Sequence, residues 1–129
     1  MADEPTTAGT VHITYWILAG PLALFYLYAG ALKILRTREQ LRPMMAWVDH
    51  LPMSAVRGIG AAEVLGALGL ILPPLTGIAP VLALGAAVGL MVLQIGAITV
   101  HLRTDRRFGI NVPLVLAAAV IIWPATTWL

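Results

Sequence analysis

Apolar residues run in four long blocks, roughly Val11 to Leu35, Ser54 to Leu72, Gly77 to Leu102 and Phe108 to Trp128, with most of the polar and charged residues gathered between them. Crossing a hydrocarbon core takes about twenty helical residues, and the blocks meet that length. The pattern predicts an all-α chain: a four-transmembrane-helix bundle forming one integral membrane domain over residues 1–129. Proline punctuates it. Pro73 and Pro74 are expected to stop the second helix and, with Gly77, to form a short hairpin, while Pro43 and Pro52 bracket a longer connection. Gly20, Pro21, Pro113 and Pro124 fall inside helices, where neighbours in a bundle can satisfy the freed backbone groups.

Helical neighbours on one face recur at intervals of about three, four and seven residues. In the first span Ala19, Ala23, Tyr26, Gly30 and Lys33 share a stripe; in the second, Val56, Gly60, Glu63 and Ala67 do, with Gly66 at its edge. In the third, Ala83, Ala87, Gln94, Ala97 and His101 do. Each helix thus carries its polar residues on the stripe of its small ones. Small residues allow close packing in membranes, so these stripes are expected to face one another. Gly85, Gly89 and Gly96 form a separate face, expected to pack the fourth helix or a second copy in a homo-oligomer.

Glu63 lies nine residues from both Ser54 and Leu72, Gln94 nine before Arg103, and Tyr26 ten before Arg36. All three belong near the midplane. Lys33, Arg57 and His101 belong near one surface, where long basic side chains snorkel. The expected constellation has two tiers, with Tyr26, Glu63 and Gln94 deep and Lys33, Arg57 and His101 at the mouth of a polar cavity. Asn111 reads as a cap or interface contact without chemistry. The segment Met44 to Leu51 is apolar enough to lie in the interface, either as a lid or as a connector anchored by Trp47. Asp49 and His50 within it are adjacent and read as solvated loop.

Composition agrees with the blocks. Of 129 residues, 60% are hydrophobic and only 11% charged, too little charge to cover a soluble domain of this size. A lipid bilayer is the expected surrounding. The net charge of +2 does not point to nucleic acid, because the eight basic residues all flank the spans. Lys33, Arg36, Arg38, Arg42 and Arg57 surround the first connection, and Arg103, Arg106 and Arg107 fill the third. By the positive-inside rule both connections are cytoplasmic and both termini lie outside. Tyr15 and Trp16 opening the first helix, and Trp123 and Trp128 closing the fourth, fit an outer aromatic belt. The first span is longer than a signal-peptide core and is preceded by Asp3 and Glu4, so it is expected to stay in the mature protein.

A carboxylate at Glu63's depth costs a few kcal/mol unless it is protonated, paired or turned to a polar cavity. In low dielectric such a group can give or take a proton near neutrality. Glu63, His101 and Tyr26 are the candidate catalytic residues: an acid or base, a proton carrier to the surface, and a donor to a developing oxyanion. Lys33, Gln94 and Arg57 are the candidate substrate-binding residues. No metal site is expected, and haem lacks two histidines at one depth. With no cysteine, thiol chemistry is excluded within this chain. The residues name no cofactor.

Phe25-Tyr26-Leu27-Tyr28-Ala29-Gly30-Ala31-Leu32-Lys33, the run from Arg57 to Pro73, and His101 resemble the DoxX-like family of small membrane proteins. A G-x-x-K helix end and a G-x-x-E-x-x-G core carry the resemblance, which extends over residues 12 to 128. It implies a four-helix bundle in the cytoplasmic membrane of a bacterium. It also implies a heterogeneous set of roles, among them subunits of sulfur-oxidising quinone reductases and of membrane complexes resisting oxidative stress. Lys33, Glu63 and His101 are the positions it carries over. Three expectations stand: a protein binding a quinone or isoprenoid beside a membrane redox partner, an enzyme performing isomerisation, cyclisation or dehydration, and an assembly factor whose polar residues only specify packing.

Overall fold

The computed structural model describes residues 7–104, 106 and 109–129. Its elements are α1 (Thr7–Leu35), the single turn α2 (Arg38–Leu41), a 3-10 turn (Ala46–His50), α3 (Met53–Thr76), α4 (Leu82–Arg103), α5 (Asn111–Ala125) and a final 3-10 turn (Thr126–Trp128). Four segments are long and apolar enough to cross a membrane: Gly9–Leu35, Met53–Thr76, Leu82–Arg103 and Asn111–Trp128. The chain is an all-α, four-helix membrane bundle. Asp3, Glu4, Arg107 and the expected start of the fourth span at Phe108 lie outside the described residues.

The helices pack in a ring, α1 on α3, α3 on α4, α4 on α5 and α5 on α1. The stripes expected from small residues are the ones that meet. Ala19, Ala23, Tyr26 and Lys33 of α1, Val56, Gly60, Glu63 and Ala67 of α3, and Ala83, Ala87 and Gln94 of α4 are all buried. The closest approach is where α1 crosses α3: a Cβ on Gly30 would lie 2.7 Å from the Gly60 carbonyl oxygen, and one on Gly60 equally near that of Gly30. Any side chain at either position would force the backbones apart. Gly85, Gly89 and Gly96 have nothing within 4 Å of a Cβ, so they do not pack against α5.

Pro73 and Pro74 do not stop the second helix. Both lie inside α3, which runs on to Thr76 and ends at Gly77 with φ 74°. The fixed φ of proline suits a helix; what it lacks is the N–H. Pro74 therefore leaves the Leu70 carbonyl without its partner, and the buried Tyr15 hydroxyl of α1 donates to that oxygen at 2.6 Å. A neighbouring helix thus supplies the missing bond. The third helix begins at Leu82 instead of Gly77, because Gly77 and Ala79 (φ 48°) are left-handed and form the turn.

At the basic end the connection between α1 and α3 folds under the bundle. Leu41, Trp47, Val48 and Val56 form a small apolar cluster there. Arg38 donates to the carbonyls of Val48 and Leu51, and Arg42 grips Asp49 with Nε 2.8 Å from Oδ2 and Nη2 2.9 Å from Oδ1. The Arg42 hydrogen bonds hold the exposed Asp49 carboxyl below its usual range, and Asp49 raises the guanidinium in turn. Asp49 is therefore a latch on the connector. Trp47 is its buried anchor.

Candidate functional site

Beside the Gly30–Gly60 crossing, α1 runs towards the basic end and α3 away from it. Side chains on a helix lean back towards its N-terminus. Lys33, one turn beyond the crossing on α1, therefore points back into the bundle, and Glu63, one turn beyond it on α3, points back to meet it. Lys33 Nζ lies 2.7 Å from Glu63 Oε1, with the two side chains only 8% and 4% exposed. The two side chains form a close, buried ion pair. Lys33 is thus no snorkelling residue at the mouth; it is the immediate partner of Glu63. Its ammonium also stands 5.9 Å from the centre of the Trp47 ring.

On the opposite wall, Asn111 of α5 donates through Nδ2 to Gln94 Oε1 of α4 at 2.6 Å, and both residues are buried. Asn111 is the polar residue that sequence reasoning set aside. Its signal was present, since an amide followed by an uncharged apolar run is costly at membrane depth. Tyr26 is fully buried, with its hydroxyl beside Gln94 and near Glu63.

Between these groups lies a cavity of about 600 Å³. Phe25, Ala29, Val92, Leu93, Ile59 and Leu114 give it an apolar wall; Lys33, Glu63, Gln94 and Asn111 supply one polar residue from each long helix. Trp47 and His101 line it at the basic end, edge to face with ring centres 6.3 Å apart. Met44, Met45, Ala46 and Leu51 join Trp47 there, so the connector forms a wall of the cavity.

Of the six residues singled out from sequence, Lys33, Glu63, Gln94 and His101 line this space, and Tyr26 does not. Arg57 is not among them. Its guanidinium turns to the end of α1, donating to the Lys33 carbonyl at 2.6 Å and to that of Arg36. That placement satisfies helix-terminal carbonyls and sets a positive charge at the negative end of the helix dipole. Among the described residues no group of three or more His, Cys, Asp or Glu stands close enough to hold a metal ion.

The arrangement can hold a neutral molecule with a polar head against two amides and an ion pair, while the apolar wall takes its body. Neither a curated protein nor a solved structure matches the chain. A family model described as the DoxX-like family matches residues 17–123, a stretch holding the Gly30–Gly60 crossing and every residue of the cavity wall, and the chain belongs to that family.

Proposed function

We propose that the chain binds a small lipophilic molecule, of quinone or isoprenoid type, in the cavity around Glu63, as a subunit of a redox or stress-protective membrane system. The observation that supports this most is the open volume of about 600 Å³ bordered by the buried Lys33–Glu63 pair. The four polar residues pair across helices, Lys33 with Glu63 and Asn111 with Gln94, and both pairs still border an open space. Ile110 and Val92 on the cavity wall are 59% and 60% exposed, which at membrane depth means contact with lipid, so a ligand's tail can extend among acyl chains. With the basic end on the cytoplasmic side of a bacterial inner membrane, the cavity lies in the cytoplasmic half and both termini outside. A redox partner or a second copy would dock on the outer faces of the bundle.

The rival is a stand-alone enzyme with Glu63 as acid or base on a lipophilic substrate. The buried Tyr26 hydroxyl beside Gln94 and near Glu63 favours it, since it supplies a donor already desolvated. Purified protein in lipid nanodiscs, titrated with a short-chain benzoquinone and with a short-chain isoprenoid alcohol, tests both. The binding reading expects saturable quenching of Trp47 fluorescence, absent in Trp47→Phe. Absence of saturable binding by either compound would sink it. Turnover that disappears in Glu63→Gln while binding persists would favour the enzyme.

A further inference from the structure

Lys33 is the only lysine in the chain; the other basic residues, from Arg36 to Arg107, are all arginine. The difference is chemical. Arginine stays protonated at neutral pH, whereas a lysine that gives up its proton becomes an amine able to attack a carbonyl carbon. The one basic side chain with that capacity is also the one buried inside the bundle, on the wall of the cavity.

Its neighbours suit a nucleophile. Lys33 Nζ lies 2.7 Å from Glu63 Oε1, the reach at which a base takes a proton from a nucleophile. Both residues border the cavity, as does Trp47, whose ring centre is 5.9 Å from the ammonium. Apolar surroundings penalise charge, and one proton passing from Lys33 to Glu63 turns the ion pair into a neutral amine and a neutral acid. The cavity's volume of about 600 Å³ falls within the roughly 300–1,000 Å³ of small-molecule sites, and its apolar wall fits a hydrocarbon chain.

We infer that the cavity captures a lipophilic aldehyde as an imine on Lys33, with Glu63 moving the protons. The inference takes from the reading above only that a lipophilic molecule enters the cavity; the covalent step is additional. Glu63 takes a proton from the ammonium, and the freed Nζ lone pair forms a C–N bond to the aldehyde carbon while the carbonyl π pair moves to oxygen. Glu63 gives its proton to that oxygen and takes one from the nitrogen, which leaves a neutral carbinolamine. It then protonates the hydroxyl; the C–O bond breaks, water departs and the nitrogen lone pair closes the C=N bond. No oxidant or reductant is consumed. The protonated imine stands where the ammonium stood, so the Glu63 carboxylate keeps a cationic partner and the charge stays near the Trp47 ring. Acylation of the same amine would abolish the positive charge and strand a buried carboxylate, which favours aldehydes over esters and thioesters.

Reductive trapping tests this on the whole chain, in nanodiscs of phosphatidylcholine and phosphatidylglycerol, which carry no primary amine. Decanal and sodium cyanoborohydride are added at pH 7, and the resulting N-decyl adducts are mapped by mass spectrometry. The chain's α-amino group is the internal reference, because without assistance an α-amine is less protonated at this pH than a lysine and reacts first. Lys33 is expected to be modified faster than the α-amine, with a rate that saturates in decanal and is suppressed by decanol, which has the same tail and no carbonyl. Glu63→Gln should slow the Lys33 adduct about a hundredfold and leave the α-amine rate unchanged. Modification of the α-amine alone, or a Lys33 rate that rises linearly with decanal and ignores decanol, would overturn the inference. The ligand-binding reading then stands if the benzoquinone titration above still saturates, and falls as well if it does not. The wild-type rates decide the matter even if Glu63→Gln does not fold.

Discussion

The two ends of this bundle solve the membrane problem in opposite ways. Near the proline turn, Tyr15, Ala19, Leu70, Ala83, Ala87, Ile121 and Ala125 fill the interior with apolar contacts, and the polar contact buried among them is Tyr15 donating to the carbonyl that Pro74 leaves free. Towards the basic end the helices enclose a hollow with a lysine, a glutamate and two amides on its wall. Both ends use small residues to bring helices together. The Gly30–Gly60 crossing lies beside the hollow, whose wall runs from Phe25 and Glu63 to Trp47 and His101, with polar side chains at its edge. Apolar packing therefore dominates one end and paired polar groups beside open space the other.

The largest effect expected from breaking this contrast follows removal of one charge. Glu63→Leu leaves Lys33 unpaired and should cost about 3–5 kcal/mol, whereas the double substitution Lys33→Met with Glu63→Leu should lie much closer to wild type. Reversible unfolding in mixed micelles measures both. A double variant as unstable as the single one would mean that the ion pair supports the fold in its own right.

The crossing comes next. Gly60→Ala places a methyl group 2.7 Å from the Gly30 carbonyl oxygen and should destabilise by about 1–3 kcal/mol. Gly89→Ala, on the outward face with nothing within 4 Å, should stay within about 0.5 kcal/mol in the monomer. If Gly89→Ala is the more damaging in micelles, the outward glycines pack against a second copy.

At the filled end, Tyr15→Phe removes the donor to the Leu70 carbonyl and should cost about 1–2 kcal/mol. Pro74→Ala restores a backbone N–H for the same oxygen. In that background Tyr15→Phe should cost measurably less, and equal costs in the two backgrounds would separate the tyrosine from the proline.

The smallest effect concerns the connector. Asp49 has its carboxyl lowered by Arg42, so its contribution is present above the ordinary carboxylate range and is lost as pH falls through the lower, folded value. Acidification should loosen the segment around Trp47, seen as faster amide exchange there, and Asp49→Asn should remove that pH dependence. Both groups are exposed, so the change stays local.

Much of this was legible in the sequence because a helix converts spacing into faces. The stripes through Ala23, Tyr26 and Lys33 and through Gly60, Glu63 and Ala67 needed only the helical period. What escaped was direction along the helix axis. Counting residues set Lys33 at one depth and Glu63 at another, but side chains lean towards their own N-termini, and in antiparallel helices that lean closes the gap. Arg57 escaped for a related reason: the free carbonyls at the end of α1 draw it away from the cavity, and hydropathy does not register them. Pro73 and Pro74 look like a helix stop because their missing N–H groups are visible in the sequence, while the compensating Tyr15 hydroxyl comes from a residue 55 positions away from Leu70.

The central claim is that the hollow end binds a lipophilic molecule, and photoaffinity labelling tests it most directly. A decyl-para-benzoquinone carrying a diazirine on its tail, irradiated with the protein in nanodiscs and mapped by mass spectrometry, should label Phe25, Leu114 or Ile110 beside the cavity. Excess unlabelled quinone should suppress that labelling. Labelling that does not saturate, or that falls on the outward Gly85–Gly89 face and leaves the cavity wall unmarked, would contradict the account.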